Sequence, residues 1–384
     1  MEHPFWYQCS IGRVMGIEEE IDALEQEIAD TPYNKSTEGH IGRLKAKLAE
    51  KKETLERRQS GSGGGGGYAV EQTGDATIAL VGFPSVGKST LLNTLTNAES
   101  EVGAYDFTTL DVNPGMLQYR GASIQLLDVP GLIEGAASGK GGGREVLSVV
   151  RTADLIVFVL SAFEIEQYQP LYDELYSNKI RLDTEPPKIS ITKKGKGGLD
   201  VNAPKDLRLD HETIKNVARE HGYVNADITI RGNPTIDELI DGIQDNRVYL
   251  PSLVTVNKVD LIDPSYVEMM KDSLRTLDVD PDEVVYISAK AEKGLDTLKE
   301  RLWEALGLIR IYMDKPGRGV DYEEPLIIRE GETVDDALRK LGGTLDERFR
   351  FARVTGPSAK HDEQQVGRDH VLHDEDILRV VARR

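Results

Sequence analysis

The sequence predicts an α/β protein built on a mostly parallel sheet, with smaller modules before, within and after it. Three observations predict this. Short apolar strands alternate with helical segments from Ala76 onward, the pattern of a parallel sheet covered on both faces. A glycine-rich turn, Gly82 to Ser89, joins the first strand to a helix. A run of five glycines, Gly63 to Gly67, has no side chains to bury and separates what precedes it from that sheet.

Taken in order, the helices come first. Ile17, Ile21, Leu24 and Ile28 recur at helical spacing, as do Ile41, Leu44, Leu48 and Leu55 after a break at Thr31-Pro32-Tyr33-Asn34. Pro32 cannot continue the first helix. That helix is acidic (Glu18, Glu19, Glu20, Asp22, Glu25, Glu27), and the second is basic (Arg43, Lys45, Lys47, Lys51, Lys52, Arg57, Arg58). A hairpin whose opposite charges pair is the favoured reading, and contact of the basic helix with RNA is compatible with it. Met15 opens a more typical sequence than Met1, so residues 1–14 read as a tail or as a product of start-site assignment. The expected domains are 1–60 helical, 61–68 linker, 69–164 with 247–308 forming the parallel-sheet domain, 165–246 an inserted α/β domain, and 309–384 a final module.

Expected sheet strands are Thr77–Val81, Ser123–Asp128, Leu155–Ser161, Leu253–Asn257 and Val284–Ser288. The interval between Ser161 and Leu253 is too long for one crossover helix. It holds strand-like Lys188–Lys194 and Asp227–Arg231, and helix-like His211–His221 and Ile236–Ile243. Its run Lys193-Lys194-Gly195-Lys196-Gly197-Gly198 is read as a solvated hairpin tip or as an RNA-contacting loop. The final module has strands at Ile309–Met313, Leu326–Arg329, Phe351–Thr355 and Ile377–Ala382 and a helix at Val334–Leu341, which suggests a ubiquitin-like β-grasp binding domain.

The composition is that of an ordinary soluble globular chain, 39% apolar and 29% charged. One cysteine, Cys9, forbids an internal disulfide and fits a reducing compartment. The most apolar stretch, Ala153 to Ala162, is too short to cross a membrane. The start lacks the pattern of a signal peptide. A cytoplasmic monomer is expected. A net charge of −19 argues against non-specific nucleic-acid binding by the whole surface. It fits either adaptation to a salty cytoplasm or a merely acidic protein.

Five segments carry chemistry. Gly82-Phe83-Pro84-Ser85-Val86-Gly87-Lys88-Ser89 fits G-x-x-x-x-G-K-[ST] and runs into a helix at Thr90. Its backbone N–H groups and the helix N-terminus suit phosphate. Lys88 would reach the β- and γ-phosphates, and the Ser89 hydroxyl would ligate Mg²⁺. Asp128-Val129-Pro130-Gly131 is a D-x-x-G ending a strand. There Asp128 would hold Mg²⁺ and the Gly131 N–H would meet the γ-phosphate. Asn257-Lys258-Val259-Asp260 ends another strand. The Asp260 carboxylate can accept from guanine N1–H and its 2-amino group, and adenine lacks both donors. The Lys258 stem would pack over the base. In Ser288-Ala289-Lys290 the Ala289 N–H can meet guanine O6. In Phe107-Thr108-Thr109-Leu110, Thr109, or alternatively Thr108, can close on Mg²⁺ when a γ-phosphate is present. Together they predict GTP and GDP as ligands with Mg²⁺ as cofactor, and Lys88 and Thr109 as the catalytic residues.

One expected group is missing. Leu132 follows Gly131 where a water-orienting glutamine stands in Ras-like enzymes. Glu134, a monovalent cation, a backbone carbonyl or a residue from a partner must take that role, so intrinsic hydrolysis should be slow. Residues Gly135 to Gly143, rich in small side chains, suit a second switch.

These motifs, with Tyr105-Asp106-Phe107-Thr108-Thr109-Leu110 and Asp128 to Ala136, resemble the Obg branch of P-loop GTPases, and within it the developmentally regulated GTP-binding proteins (Drg). Thr31 to Lys35, His40-Ile41-Gly42 and Leu44 to Leu48 extend the resemblance, which covers nearly the whole chain from about Met15. It implies an N-terminal helical domain, a GTPase domain, an insertion similar to part of a small-subunit ribosomal protein, and a C-terminal TGS domain. It also implies a role with ribosomes in translation and K⁺-stimulated hydrolysis, and the final module, read as a binding domain, is expected to take a regulatory partner protein. Many K⁺-using GTPases carry Asn where this chain has Ser85. Two functions remain: a GTPase switch on ribosomes, or an RNA- or ribosome-binding scaffold in which hydrolysis is incidental.

Overall fold

A computed structural model describes residues 16–60, 73–96, 113–129, 142–315, 317–342 and 348–382. Outside them lie Cys9, the Gly63–Gly67 run, the loop with Phe107, Thr108 and Thr109, and residues 130–141 with Gly131, Leu132 and Glu134. The chain forms two compact units, one from Met1–Gly66 with Glu185–Arg247, the other from Gly67–Thr184 with Val248–Arg384.

The larger unit holds a six-stranded sheet: β1 (Ala76–Val81), β2 (Asn113–Tyr119), β3 (Ala122–Asp128), β4 (Leu155–Ser161), β10 (Ser252–Asn257) and β11 (Val285–Tyr286), in the order β11-β10-β4-β1-β3-β2. Every pairing is parallel except β2 with β3. β1 and β4 are buried along their whole length, as continuous apolar runs in a doubly covered sheet must be. One face carries α3 (Lys88–Thr96) and α9 (Leu295–Leu306), whose Leu91, Leu95, Leu298, Leu302 and Trp303 pack with Ile78, Leu80 and Ile124. The other carries α4 (Gly142–Arg151), α5 (Tyr168–Ser177) and α8 (Pro264–Thr276), with Val149, Leu171, Leu175 and Leu274 against Ile156 and Phe158.

The expected start of the insertion at residue 165 is corrected. Helix α5 buries Leu171 and Leu175 in that core, and β5 (Ile180–Leu182) pairs in parallel with β9 (Val248–Leu250). The insertion therefore leaves after Thr184. Strand β2 was also unforeseen, because its opening Asn113-Pro114-Gly115 reads as a turn. Pro114 is tolerated there because β2 is a sheet edge.

After α9 the chain builds a second sheet in the same unit: β12 (Leu308–Lys315), β13 (Gly319–Arg329), β14 (Phe349–Thr355), β15 (Gln364–Val366) and β16 (Asp376–Ala382), ordered β13-β12-β16-β14-β15. Helix α10 (Val334–Leu341) lies on it through Val334, Ala337 and Leu338, against Ile311, Val354 and Leu378. Thr333 caps the helix by accepting from the Asp336 N–H, and Asp336 reaches back to the Thr333 N–H. The β-grasp arrangement is as expected.

The smaller unit joins the N-terminal helices to the insertion. Helix α1 (Ile17–Asp30) pairs with α2 (Glu38–Ser60) through Lys51–Glu20 at 2.5 Å, Lys52–Glu25 at 2.7 Å and His40–Glu27 at 3.2 Å. Ile41 and Ala46 of α2 enter one core with α6 (His211–Glu220), α7 (Ile236–Gln244) and a sheet ordered β6-β8-β7. That sheet holds β6 (Ile189–Lys193), β7 (Leu199–Asn202) and β8 (Ala226–Ile230). The basic loop at 193–198 is not a hairpin tip, since β6 and β7 flank β8 and the loop crosses between them. Its Lys194 ammonium is held by Asp200 and by Asp227, the latter at 2.6 Å.

Candidate nucleotide-binding site

Five parallel strands end on one side of the larger sheet, and the segments that follow four of them, β1, β3, β10 and β11, carry the motif residues. This is where ligands sit in open α/β sheets. The loop Gly82–Ser89 turns tightly between β1 and α3, with Ser85 at φ 65° and Gly87 at φ 101°. A Cβ on Gly82 would lie 2.4 Å from the Val159 carbonyl oxygen, and one on Gly87 2.4 Å from Asn257 Nδ2. These positions therefore admit only glycine. Phe83 packs partly buried against the core, Val86 is buried beneath the loop, and Pro84, Ser85, Ser89 and Thr90 are exposed.

Lys88 opens α3 and is buried. Its ammonium donates to the carbonyls of Gly82 at 2.8 Å and Phe83 at 3.2 Å, and lies 4.0 Å from Asp128 Oδ1. Burial pushes its pKa down, and the Asp128 charge opposes the shift. A desolvated cation held by carbonyls is poised to gain from an arriving phosphate. The Ser89 hydroxyl donates to Asp128 Oδ2 at 2.5 Å. The hydroxyl and carboxylate expected to serve Mg²⁺ thus meet in space although they stand far apart in sequence. Hard oxygen donors of this kind suit that ion.

Asn257 is buried and ties three loops together. Its Nδ2 donates to the Val86 carbonyl at 2.9 Å, and its Oδ1 accepts from the Lys258 N–H at 2.8 Å and the Ala289 N–H at 3.0 Å. Lys258, at φ 66°, sends its ammonium to the Ser85 carbonyl at 2.7 Å. Asp260 is exposed at the mouth of the site. The Ala289 N–H, expected to meet guanine O6, donates here to Asn257 Oδ1. Lys290, next in the chain, is exposed beside it. The Ser288 hydroxyl accepts from the Ala291 N–H at 3.1 Å, which shapes this loop rather than leaving the side chain for a base.

Sequence reasoning missed what holds that loop. Ser288 and Lys293 exchange backbone hydrogen bonds at 3.0 and 3.1 Å, and Gly294, at φ 73°, could not bear a Cβ within 2.4 Å of the Tyr286 carbonyl. Only the glycine was a readable signal. Thr108, Thr109, Phe107 and Gly131, expected around the γ-phosphate, lie outside the described residues.

Comparison with known proteins matches residues 77–194 to the family profile described as 50S ribosome-binding GTPase, residues 196–308 to the C-terminal region of that domain, and residues 309–382 to the TGS domain. A GTP-binding protein of Halobacterium salinarum is 74% identical over 96% of this chain and 100% of its own length. A GTP-binding protein of Methanocaldococcus jannaschii is 52% identical over 97% of this chain and 95% of its own. Developmentally regulated GTP-binding protein 1 of Xenopus laevis is 43% identical over 94% of this chain and 98% of its own.

Proposed function

The chain belongs to the developmentally regulated GTP-binding protein family of P-loop GTPases, and from that premise we propose that it hydrolyses GTP to GDP and phosphate as a switch acting on ribosomes. The observation that carries the reading is the convergence of Lys88, Ser89 and Asp128 under a loop that Asn257 locks to the base-recognition segments.

Each residue's part follows from its chemistry. Backbone N–H groups of Gly82 to Ser89 receive the phosphates, and Lys88 exchanges carbonyl partners for phosphate oxygens. Ser89, Asp128 and Thr109 are the oxygen donors for Mg²⁺. The ion supplies, when bound, positive charge against the β- and γ-phosphate oxygens. Asp260 accepts from guanine N1–H and the 2-amino group, the Lys258 stem covers the ring, and the Ala289 N–H turns from Asn257 to guanine O6. Thr109 and Gly131 report the γ-phosphate. Leu132 leaves the attacking water without a side-chain partner from that position, so Glu134, a monovalent cation such as K⁺, a backbone carbonyl or a residue from a partner completes the site.

Support for the ribosome comes from the family profile's description as ribosome-binding and from Arg43, Lys47 and Arg58, which α2 presents to solvent. The TGS domain is proposed as the seat of a regulatory partner. A single cysteine among 384 residues supports a reducing, cytoplasmic setting, and no helix among the described residues is long and apolar enough to cross a membrane. The test is GTP turnover by the full chain in KCl and Mg²⁺, with and without ribosomes from the same source. A several-fold rise with ribosomes supports the switch. A slow rate that ribosomes leave unchanged, with ribosome binding intact, overturns it in favour of the scaffold.

A further inference from the structure

We propose that the β2–β3 hairpin couples the nucleotide site to the C-terminal TGS domain, so that the TGS domain senses which nucleotide is bound. The proposal rests on the nucleotide reading above and adds a route and a receiver to it.

The hairpin spans the right positions. β3 ends at Asp128, which holds Ser89, and β2 begins at Asn113, shortly after Thr109 in the sequence. The two strands pair in unbroken register from Asn113↔Asp128 to Tyr119↔Ala122. Such a ribbon is stiff along its length of roughly 20 Å. β3 is fixed by β1 on its other side, whereas β2 is the sheet edge and, among the described residues, has β3 as its one strand neighbour. A pull on the start of β2 therefore arrives at its far end.

That far end is gripped. The turn places Arg120 at φ 51° and Gly121 at φ 84°. Arg120 forms a two-pronged bond to Glu300 of α9, at 2.8 and 2.9 Å, and its guanidinium lies 5.6 Å from the Trp303 ring centroid. The Tyr119 hydroxyl donates to the same carboxylate at 2.7 Å. Gly121 abuts Pro325 of β13, where an added Cβ would stand 2.6 Å from the proline Cγ and 2.8 Å from its Cδ. Pro325 is available for this contact because the β12–β13 ladder shifts register between Ile311 and Met313. A residue with no N–H fits at such a break.

Two carboxylates fasten the TGS domain beside this contact. Asp75 accepts from the Ser123 N–H of β3 at 3.0 Å and from Lys340 of α10 at 2.8 Å. Asp154 accepts from the Thr77 N–H of β1 at 2.8 Å and from Arg329 of β13. Each acid bonds a backbone N–H of the GTPase sheet with one oxygen and a TGS cation with the other. The TGS domain is thus held at the sheet's far end, with the hairpin turn pressed on it. By linkage, whatever shifts the hairpin with nucleotide must shift the affinity of the TGS contact, and the reverse.

The experiment measures affinities of the full chain for fluorescent GDP and for a fluorescent, non-hydrolysable GTP analogue. Wild type that binds neither removes the nucleotide reading itself. Given binding, Gly121→Ala should change the ratio of the two affinities by at least about threefold. Adding Pro325→Ala, which deletes the two ring atoms the new methyl meets, should restore the wild-type ratio. An unchanged ratio, or a change that Pro325→Ala does not reverse, overturns the coupling, the latter because it reports only turn strain. Should Gly121→Ala not fold, hydrogen exchange of wild type decides. Exchange in 319–329 that differs between the GDP and analogue complexes supports the proposal, and identical exchange there overturns it.

Discussion

At the scale of single residues, Asp260 is the group whose chemistry names the base. Its exposed carboxylate can accept from two guanine donors. Asp260→Asn replaces one acceptor with an NH₂ donor. That donor opposes the 2-amino group of guanine but matches the 2-oxo group of xanthine. GTP affinity should fall about 10²-fold or more, and xanthosine triphosphate should become the better ligand. Competition against fluorescent GDP checks this; a variant that still prefers GTP would remove Asp260 from base selection. Asn257 makes a different prediction. Asn257→Ala strips partners from the Val86 carbonyl and the Ala289 N–H, both in buried surroundings, and should cost about 2–4 kcal/mol of unfolding free energy. Urea denaturation of the nucleotide-free protein reads this, whereas a residue serving only the base would leave it unchanged. The two residues also show what sequence could and could not convey. The motif placed both at the site, because strand-end spacing in an α/β fold is periodic. It did not reveal that Asn257 takes the Ala289 N–H, since that depends on the rotation of one amide between two loops.

At the scale of elements, burial separates contacts that matter from those that decorate. Arg247 and Asp241 of α7 are both almost wholly buried and bonded at 2.7 Å. Asp241→Ala leaves a buried guanidinium without its carboxylate and should destabilise the smaller unit by about 3–5 kcal/mol. Hydrogen exchange should accelerate across 185–247 and stay slow in β1 and β4; acceleration everywhere would mean that the units unfold together. The α1–α2 pairs are exposed, and their effect is legible through pH. The hydrogen bond from Lys51 holds Glu20 below its usual carboxylate range. A depressed carboxylate contributes stability above its unfolded pKa and loses it as pH falls through the folded one. Lys51→Met should therefore lower the melting temperature at pH 7 and lose that deficit below about pH 4. A deficit that persists in acid would assign the loss to packing. These charge pairs were readable from the acidic and basic faces. The insertion's true start was not, because Leu171 and Leu175 show the same helical spacing whichever core they fill.

At the scale of the whole molecule, the excess of 66 acidic over 47 basic residues sets how salt acts. Like charges repel more in the folded chain than in the expanded one. Screening falls from about 10 Å at 0.1 M to about 3 Å at 1 M, so added salt relieves repulsion between more distant surface carboxylates first. The exposed ion pairs weaken too, but each is worth little. Repulsion should dominate the balance, and the melting temperature should rise by several degrees between 0.1 and 1 M KCl. NaCl should do the same, because screening depends on ionic strength and not on the cation. This equality turns a general effect into a test of a specific one. If K⁺ completes the site that Leu132 leaves open, turnover of GTP must be faster in KCl than in NaCl at equal ionic strength while the melting temperatures coincide. If both observables follow ionic strength alone, K⁺ does not complete the site, and Glu134, a backbone carbonyl or a residue from a partner must orient the water. If melting temperature falls with salt, the attractive pairs outweigh the net charge, and the acidic composition does not work as a halotolerant surface.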